Sequence, residues 1–157
     1  MKVIIKYLRI ILPHLGIALI VLAMGLGYFY NWRGKAVLLM TDKTNVFITK
    51  NEVIHITPFA LTLTLLNVTS YDSGEPKSLK AVIDVEENNQ FHSISLSVNQ
   101  PCKMGFGKDL YLVNYDRDNL EYCIVELVYE PFQGVFLAGI ILVCAGLFCT
   151  LSMRNYR

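Results

Sequence analysis

No aspartate or glutamate precedes Asp42 or follows Glu130, so both ends of the chain lack anionic residues. Five basic residues sit there instead, Lys2, Lys6, Arg9, Arg154 and Arg157, while residues 31–130 hold the other nine against all 13 acids, a net of −4. Charge is scarce altogether, 17% of 157 residues, against 54% hydrophobic and a mean hydropathy of +0.42. Cations divided between two ends exclude a nucleic-acid binder, which gathers them on one folded face. Aromatic residues at 11% exclude disorder, because such a composition builds a core. Catalytic motifs are missing as well: there is no HExxH, GxSxG or CxxCH, and Gly105-Phe106-Gly107-Lys108 lacks the upstream glycine and the following Ser or Thr of a phosphate loop. Hydrolase and nucleotidase readings fall away, and neither an internal repeat nor a low-complexity tract is present.

What the ends do contain is two long uncharged runs, Ile10 to Tyr30 and Pro131 to Met153. About 20 apolar residues cross a hydrocarbon layer of roughly 30 Å as a helix, so each run predicts one transmembrane helix. A cleaved signal peptide is the competing reading of the first, but its apolar stretch is too long and Tyr28, Phe29, Tyr30 and Trp32 follow it. Those four aromatics predict an interfacial belt. Basic residues in the short tails place both termini in the cytoplasm by the positive-inside bias, and the middle in the periplasm of a Gram-negative cell. The expected order is a cytoplasmic tail over 1–9, transmembrane helix 10–30, outer domain 31–130, transmembrane helix 131–153 and a second cytoplasmic tail over 154–157.

The middle alternates apolar and polar residues in short runs, the period of half-buried strands. Phe59, Leu61, Leu63 and Leu65 define one face, as do Leu79, Ala81, Ile83 and Val85; His92, Ile94, Leu96 and Val98; and Cys123, Val125, Leu127 and Tyr129. Shorter strands are expected at 37–41, 45–50, 53–57 and 110–115. Asp72-Ser73-Gly74, Glu87-Asn88-Asn89 and 116–119 read as turns. Six to eight antiparallel strands in about 100 residues predict a small all-β sandwich or open barrel.

Chemistry-bearing residues are few. His14 is the only side chain within either apolar run that takes up a proton near neutral pH, and such groups are functional candidates by default; it reads either as a haem or partner contact or as an interfacial residue near the headgroups. His92 reads as a core histidine, and His55, which shares a face with Val53 and Thr57, as structural too. Cys102 and Cys123 can form a disulfide or remain thiols; Cys144 and Cys149 read as apolar packing residues. Glu86 with Glu87 and Asp116 with Asp118 are solvated turn residues, without an apolar wall to raise a pKa. Asn67-Val68-Thr69 is a glycosylation sequon only in a eukaryotic secretory pathway. Gly16, Ala23 and Gly27, with Gly134, Ala138, Gly139, Ala145 and Gly146, give both runs small residues that allow close helix packing, with each other first and with a larger membrane partner next.

Pro58-Phe59 ahead of an amphipathic strand, then Tyr71, Gly74 and Pro76-Lys77-Ser78, are followed by Val98-Asn99, Pro101, Gly105, Tyr111, Tyr115-Asp116 and a Glu130-Pro131 junction into the last apolar run. In this order, across 57–85 and 97–147, the chain resembles the ResB-like (CcsB) family of cytochrome c biogenesis proteins. The resemblance implies a partner of CcsA-type membrane proteins, which move haem across the membrane and attach it to the CxxCH of apocytochrome c. It implies haem as cofactor, with His14 the candidate ligand. Family members typically carry several spans ahead of a much larger outer domain, so the resemblance implies a shortened scaffold with no catalytic residue of its own and no metal site. The rival expectation is a membrane-anchored adaptor of another envelope complex, with no role in haem handling.

Overall fold

Long uncharged apolar runs satisfy their backbone groups within the segment when they form helices. The computed structural model describes residues 2–71, 76–117 and 119–154 and divides the chain into a helical unit, Met1–Asn31 with Glu130–Arg157, and a strand unit, Trp32–Tyr129. The helices are α1 (Lys2–Tyr30) and α2 (Gln133–Arg154). Within them Tyr7–Tyr30 and Gln133–Ser152 are long and apolar enough to cross a membrane.

Within the helical unit α1 and α2 pack as a pair through their glycines. A Cβ added at Gly16 would lie 2.6 Å from the Gly139 carbonyl oxygen, and one at Gly139 would lie 2.7 Å from Ile20. Gly146 faces the ring of Pro13, which has no room for any side chain opposite it. Small residues therefore bring the two backbones together as in membrane helix pairs. Leu15, Ile17, Val21, Leu137, Ile141 and Phe148 point away and are exposed, the inverse of a water-soluble hairpin. Ala138, expected in the packing stripe, also turns outward.

The strand unit is one antiparallel eight-stranded sheet: β1 (Trp32–Leu39), β2 (Thr44–Thr49), β3 (Ile54–Ser70), β4 (Pro76–Glu87), β5 (Gln90–Ser97), β6 (Cys102–Lys103), β7 (Lys108–Tyr115) and β8 (Tyr122–Tyr129). Its order is β5-β4-β3-β2-β1-β8-β7-β6. The sheet curls until β5 comes near β6 and β7 without pairing along them, so of the two expected architectures the open barrel is the one formed. Leu38, Phe47, Leu61, Leu63, Ile83 and Leu127 fill its interior and are fully buried. Each such side chain contributes roughly 1.5–3 kcal/mol. First and last strands are neighbours, Trp32 opposite Tyr129, so the chain enters and leaves the sheet at one end.

Three expectations fail where the strand pattern meets an irregularity. The strands expected at 53–57 and 59–65 are one strand, β3, whose ladder with β2 is broken between Val46 and Thr44. Thr57 Oγ donates there to the Phe59 and Asn45 carbonyls at 2.7 and 3.2 Å, and Pro58 is tolerated because its missing N–H falls at the break. A second bulge between Leu63 and Leu65 reverses the face, so Leu65 is exposed and Leu66 is buried. His92 is exposed near the start of edge strand β5, and β5 ends at Ser97, leaving Val98 exposed in the following turn. The Asn88-Asn89 turn forms as read, with φ of 51° and 60°, the left-handed pair of a tight hairpin. The turn at 72–74, and Asp118 in the last one, lie outside the described residues.

Candidate functional site

Where the chain enters and leaves the sheet, the inward-facing rows of five strands end in an aromatic cluster. Trp32 starts β1 and its indole stacks on the His55 imidazole of β3, centroids 4.1 Å apart and planes within 7°. Tyr129 ends β8 and stands 6.0 Å from the indole on its other flank. Gly34 makes the arrangement fit: a Cβ there would meet Phe47 Cβ at 2.9 Å and the Trp32 ring at 3.2 Å. Lys108, opposite Tyr129 at the start of β7, reaches over the Phe59 ring at 5.8 Å. This mouth thus combines an indole, a phenol, an ammonium and an imidazole whose ring nitrogens bond nothing among the described residues. Stacking orders the imidazole by roughly 0.5–1.5 kcal/mol. Such a group can accept a metal or a proton.

Sequence reasoning missed this cluster. Trp32, read from the sequence as part of an interfacial belt, stacks on His55 at one end of the barrel. Its signal was parity: Trp32, Gly34, Ala36 and Leu38 alternate inward, as do His55, Thr57 and Phe59, but a long-range pairing through β2 is needed to bring the two rows together.

His14 lies on α1, exposed and turned away from the glycine contacts with α2. Its Nδ1 is 2.6 Å from the Ile10 carbonyl oxygen. A carbonyl only accepts, so Nδ1 donates here and Nε2 is the nitrogen left for a ligand. Metal-ligating histidines are commonly oriented in this way, with one ring nitrogen held by a backbone carbonyl. At the other end of the helical unit, Ala23, Met24, Gly27, Tyr28, Asn31, Glu130, Phe132, Gln133 and Phe136 line an open cleft of about 410 Å³. Tyr30 and Phe132 meet edge to face beside it, centroids 5.9 Å apart.

The cysteines are not brought together. All four are free thiols. Cys102 pairs with Leu110 and Leu110 with Leu127, four residues from Cys123 along β8; two strand spacings across and four residues along amount to roughly 16 Å between Cα atoms, where a disulfide needs less than about 7 Å. Of the two readings of Cys102 and Cys123, separate thiols are the one this spacing fits. Cys123 is fully buried on the inward face, and burial pushes its pKa up to about 12, which keeps it protonated and inert. No cluster of three potential metal ligands occurs among the described residues.

The model of the ResB-like family matches residues 5–126, across α1 and the sheet into β8. The chain belongs to the ResB-like family. No curated protein matches this ResB-like chain in sequence. Among solved structures it is similar in fold to one titled "Cytochrome c Heme Lyase CcmF", with a TM-score of 0.58 and 11% identity over 92% of this chain. The ResB-like chain covers 24% of that neighbour's length, and at this identity the likeness is one of fold.

Proposed function

We propose that the chain is a membrane-anchored scaffold in cytochrome c maturation, which pairs with a CcsA-type membrane protein and holds haem, or apocytochrome c, for thioether attachment. The observation that carries this reading is the ResB-like family match over most of the chain. The fold it shares with a protein titled a cytochrome c haem lyase supports it. The basic tails set both termini in the cytoplasm and the strand unit on the outer side, in the periplasm of a Gram-negative cell. α1 and α2 are then its two membrane spans.

His14 fits haem by its chemistry: neutral imidazole with Nε2 free is a common protein ligand of haem iron. His55, ordered by the Trp32 ring, is the imidazole that suits the outer side. Haem, when bound, supplies the groups that react with the apocytochrome thiols. What this chain does is hold and orient, since joining haem to two thiols needs three groups placed together.

The test is haem absorbance of the detergent-purified complex with the CcsA-type protein. Haem should copurify, His14→Ala should lower bound haem and cytochrome c yield together, and added imidazole should partly restore both. A normal haem spectrum in the variant removes His14 from the site. A complex that never carries haem overturns the reading in favour of an adaptor.

A further inference from the structure

Gly105-Phe106-Gly107-Lys108, which the haem reading does not use, lies at the turn from β6 into β7. Gly105 and Gly107 have φ of 108° and 65°, and a Cβ added at Gly105 would touch nothing, so conformation rather than space calls for glycine there. The Met104 N–H closes the loop by donating to the Lys108 carbonyl at 2.8 Å. Between the two glycines Phe106 is held 80% exposed, the most of the large apolar side chains described in the strand unit. Register fixes where this tip lies: Lys108 and Trp32 are both opposite Tyr129, so residues 104–107 project past the last rung of the sheet, at the end where the chain enters and leaves. Only Asn31 separates Trp32 from α1, and residues 130–132 separate Tyr129 from α2. Extended chain covers about 3.3–3.6 Å per residue, so the tether from Tyr30 to Trp32 spans about 7 Å at most, narrower than the roughly 10–12 Å of a single helix. No protein layer fits there between the first residue of the sheet and the end of the first apolar span, which Tyr28 and Phe29, both exposed, mark as headgroup level.

We propose that Phe106 inserts into the bilayer at the boundary between headgroups and acyl chains, and so anchors the rim of the barrel to the membrane surface. The proposal rests on the reading of α1 and α2 as membrane spans and is independent of haem. In water a phenyl ring on such a tip forgoes the burial that stabilises the inward side chains of the sheet; at the boundary layer it recovers that burial, as interfacial aromatics do. Beside the tip Lys103 and Asp109 are cross-strand partners, so the rim carries no excess of one sign that would call for an anionic lipid or a strongly charged protein.

The test uses the full chain in phosphatidylcholine nanodiscs, with Cys102, Cys144 and Cys149 replaced by alanine and the buried Cys123 retained. A nitroxide on Phe106→Cys should be reached by oxygen, which concentrates among acyl chains, and shielded from a water-soluble nickel chelate. On Met40→Cys, exposed just past the far end of β1, the preference should reverse. A label on Ile141→Cys, exposed on α2, reads the span itself and should be reached by oxygen alone. Because a nitroxide is itself apolar, a second measurement keeps the native ring: a label on Lys103→Cys should gain nickel accessibility when Phe106→Ser is added and lose it again with Phe106→Trp, while circular dichroism stays unchanged. A label at position 106 that nickel reaches as freely as at position 40 overturns the proposal, as does one shielded from both reagents, the mark of a protein contact. A Lys103→Cys label indifferent to Phe106→Ser overturns it too. If nickel also reaches the label at position 141, the membrane spans fail and the anchor falls with them; if position 141 lies in lipid and position 106 in water, the anchor alone falls.

Discussion

The helical unit and the strand unit bury their interiors by opposite means. In the strand unit large aliphatics fill the inside of a curled sheet, and Leu61, Leu63 and Ile83 reach zero exposure. In the helical unit the interior is glycine and the large aliphatics are outside. Water explains the first, since removing apolar surface from it is the dominant stabilising term. It does not explain the second, because the aliphatic surface of the hairpin stays outside; close backbone approach at the glycines supplies the contact instead. One chain therefore holds two kinds of interior.

Removing volume should hurt only the strand unit. Leu61→Ala is expected to cost about 2–5 kcal/mol, read as an earlier urea transition in the fluorescence of Trp32, the single tryptophan, in the detergent-solubilised chain. A loss below about 1 kcal/mol would mean that the barrel interior collapses around the gap. Adding volume should hurt only the helical unit. Gly139→Leu places a side chain against Ile20 and the Gly16 carbonyl and should destabilise the helix pair by about 1–3 kcal/mol, detected as lost cross-linking between cysteines placed on α1 and α2. The Trp32 transition should not move.

A weaker effect separates the interiors by pH. Cys123 titrates at about 12 in the folded state against 9.0 for the free thiol. Between those values the native state keeps a proton that the unfolded state has lost, so stability falls as pH rises, by up to about 1.4 kcal/mol per unit. Cys123→Ala should flatten the difference in stability between pH 9 and pH 11, and equal slopes for both proteins would show that the thiol ionises freely. The smallest effect belongs to the barrel mouth. His55→Ala should cost about 0.5–1.5 kcal/mol of stacking and change Trp32 emission, whereas His92→Ala, at an exposed position, should leave both unchanged.

Period-2 alternation located the strands at 79–85 and 123–129 correctly because both run in unbroken ladders with β5 and β1, and the bulges on their other sides fall on the partner strands β3 and β7. It failed at Leu65 and divided one strand in two at Pro58 because a bulge shifts the face by one residue without leaving a mark in composition. His92 was misread for a different reason: an alternating pattern gives the face of a side chain but not how far along the strand the core extends. The glycines at 16, 139 and 146 were legible as contacts, although which of the small residues faced the partner helix was not.

Composition alone determined the two apolar helices, the β character of the region between them and the absence of familiar catalytic motifs, because helix length, strand period and charge are local properties of the chain. Tertiary structure decided what depends on distant pairing. It placed β1 beside β8, set Trp32 on His55 across β2, separated Cys102 from Cys123 by two strands, and gathered Val46, Ile48, Ile54 and Ile56 into one outer patch. Each of these follows from register, which is set by the whole sheet closing on one interior, and no window of neighbouring residues contains that information.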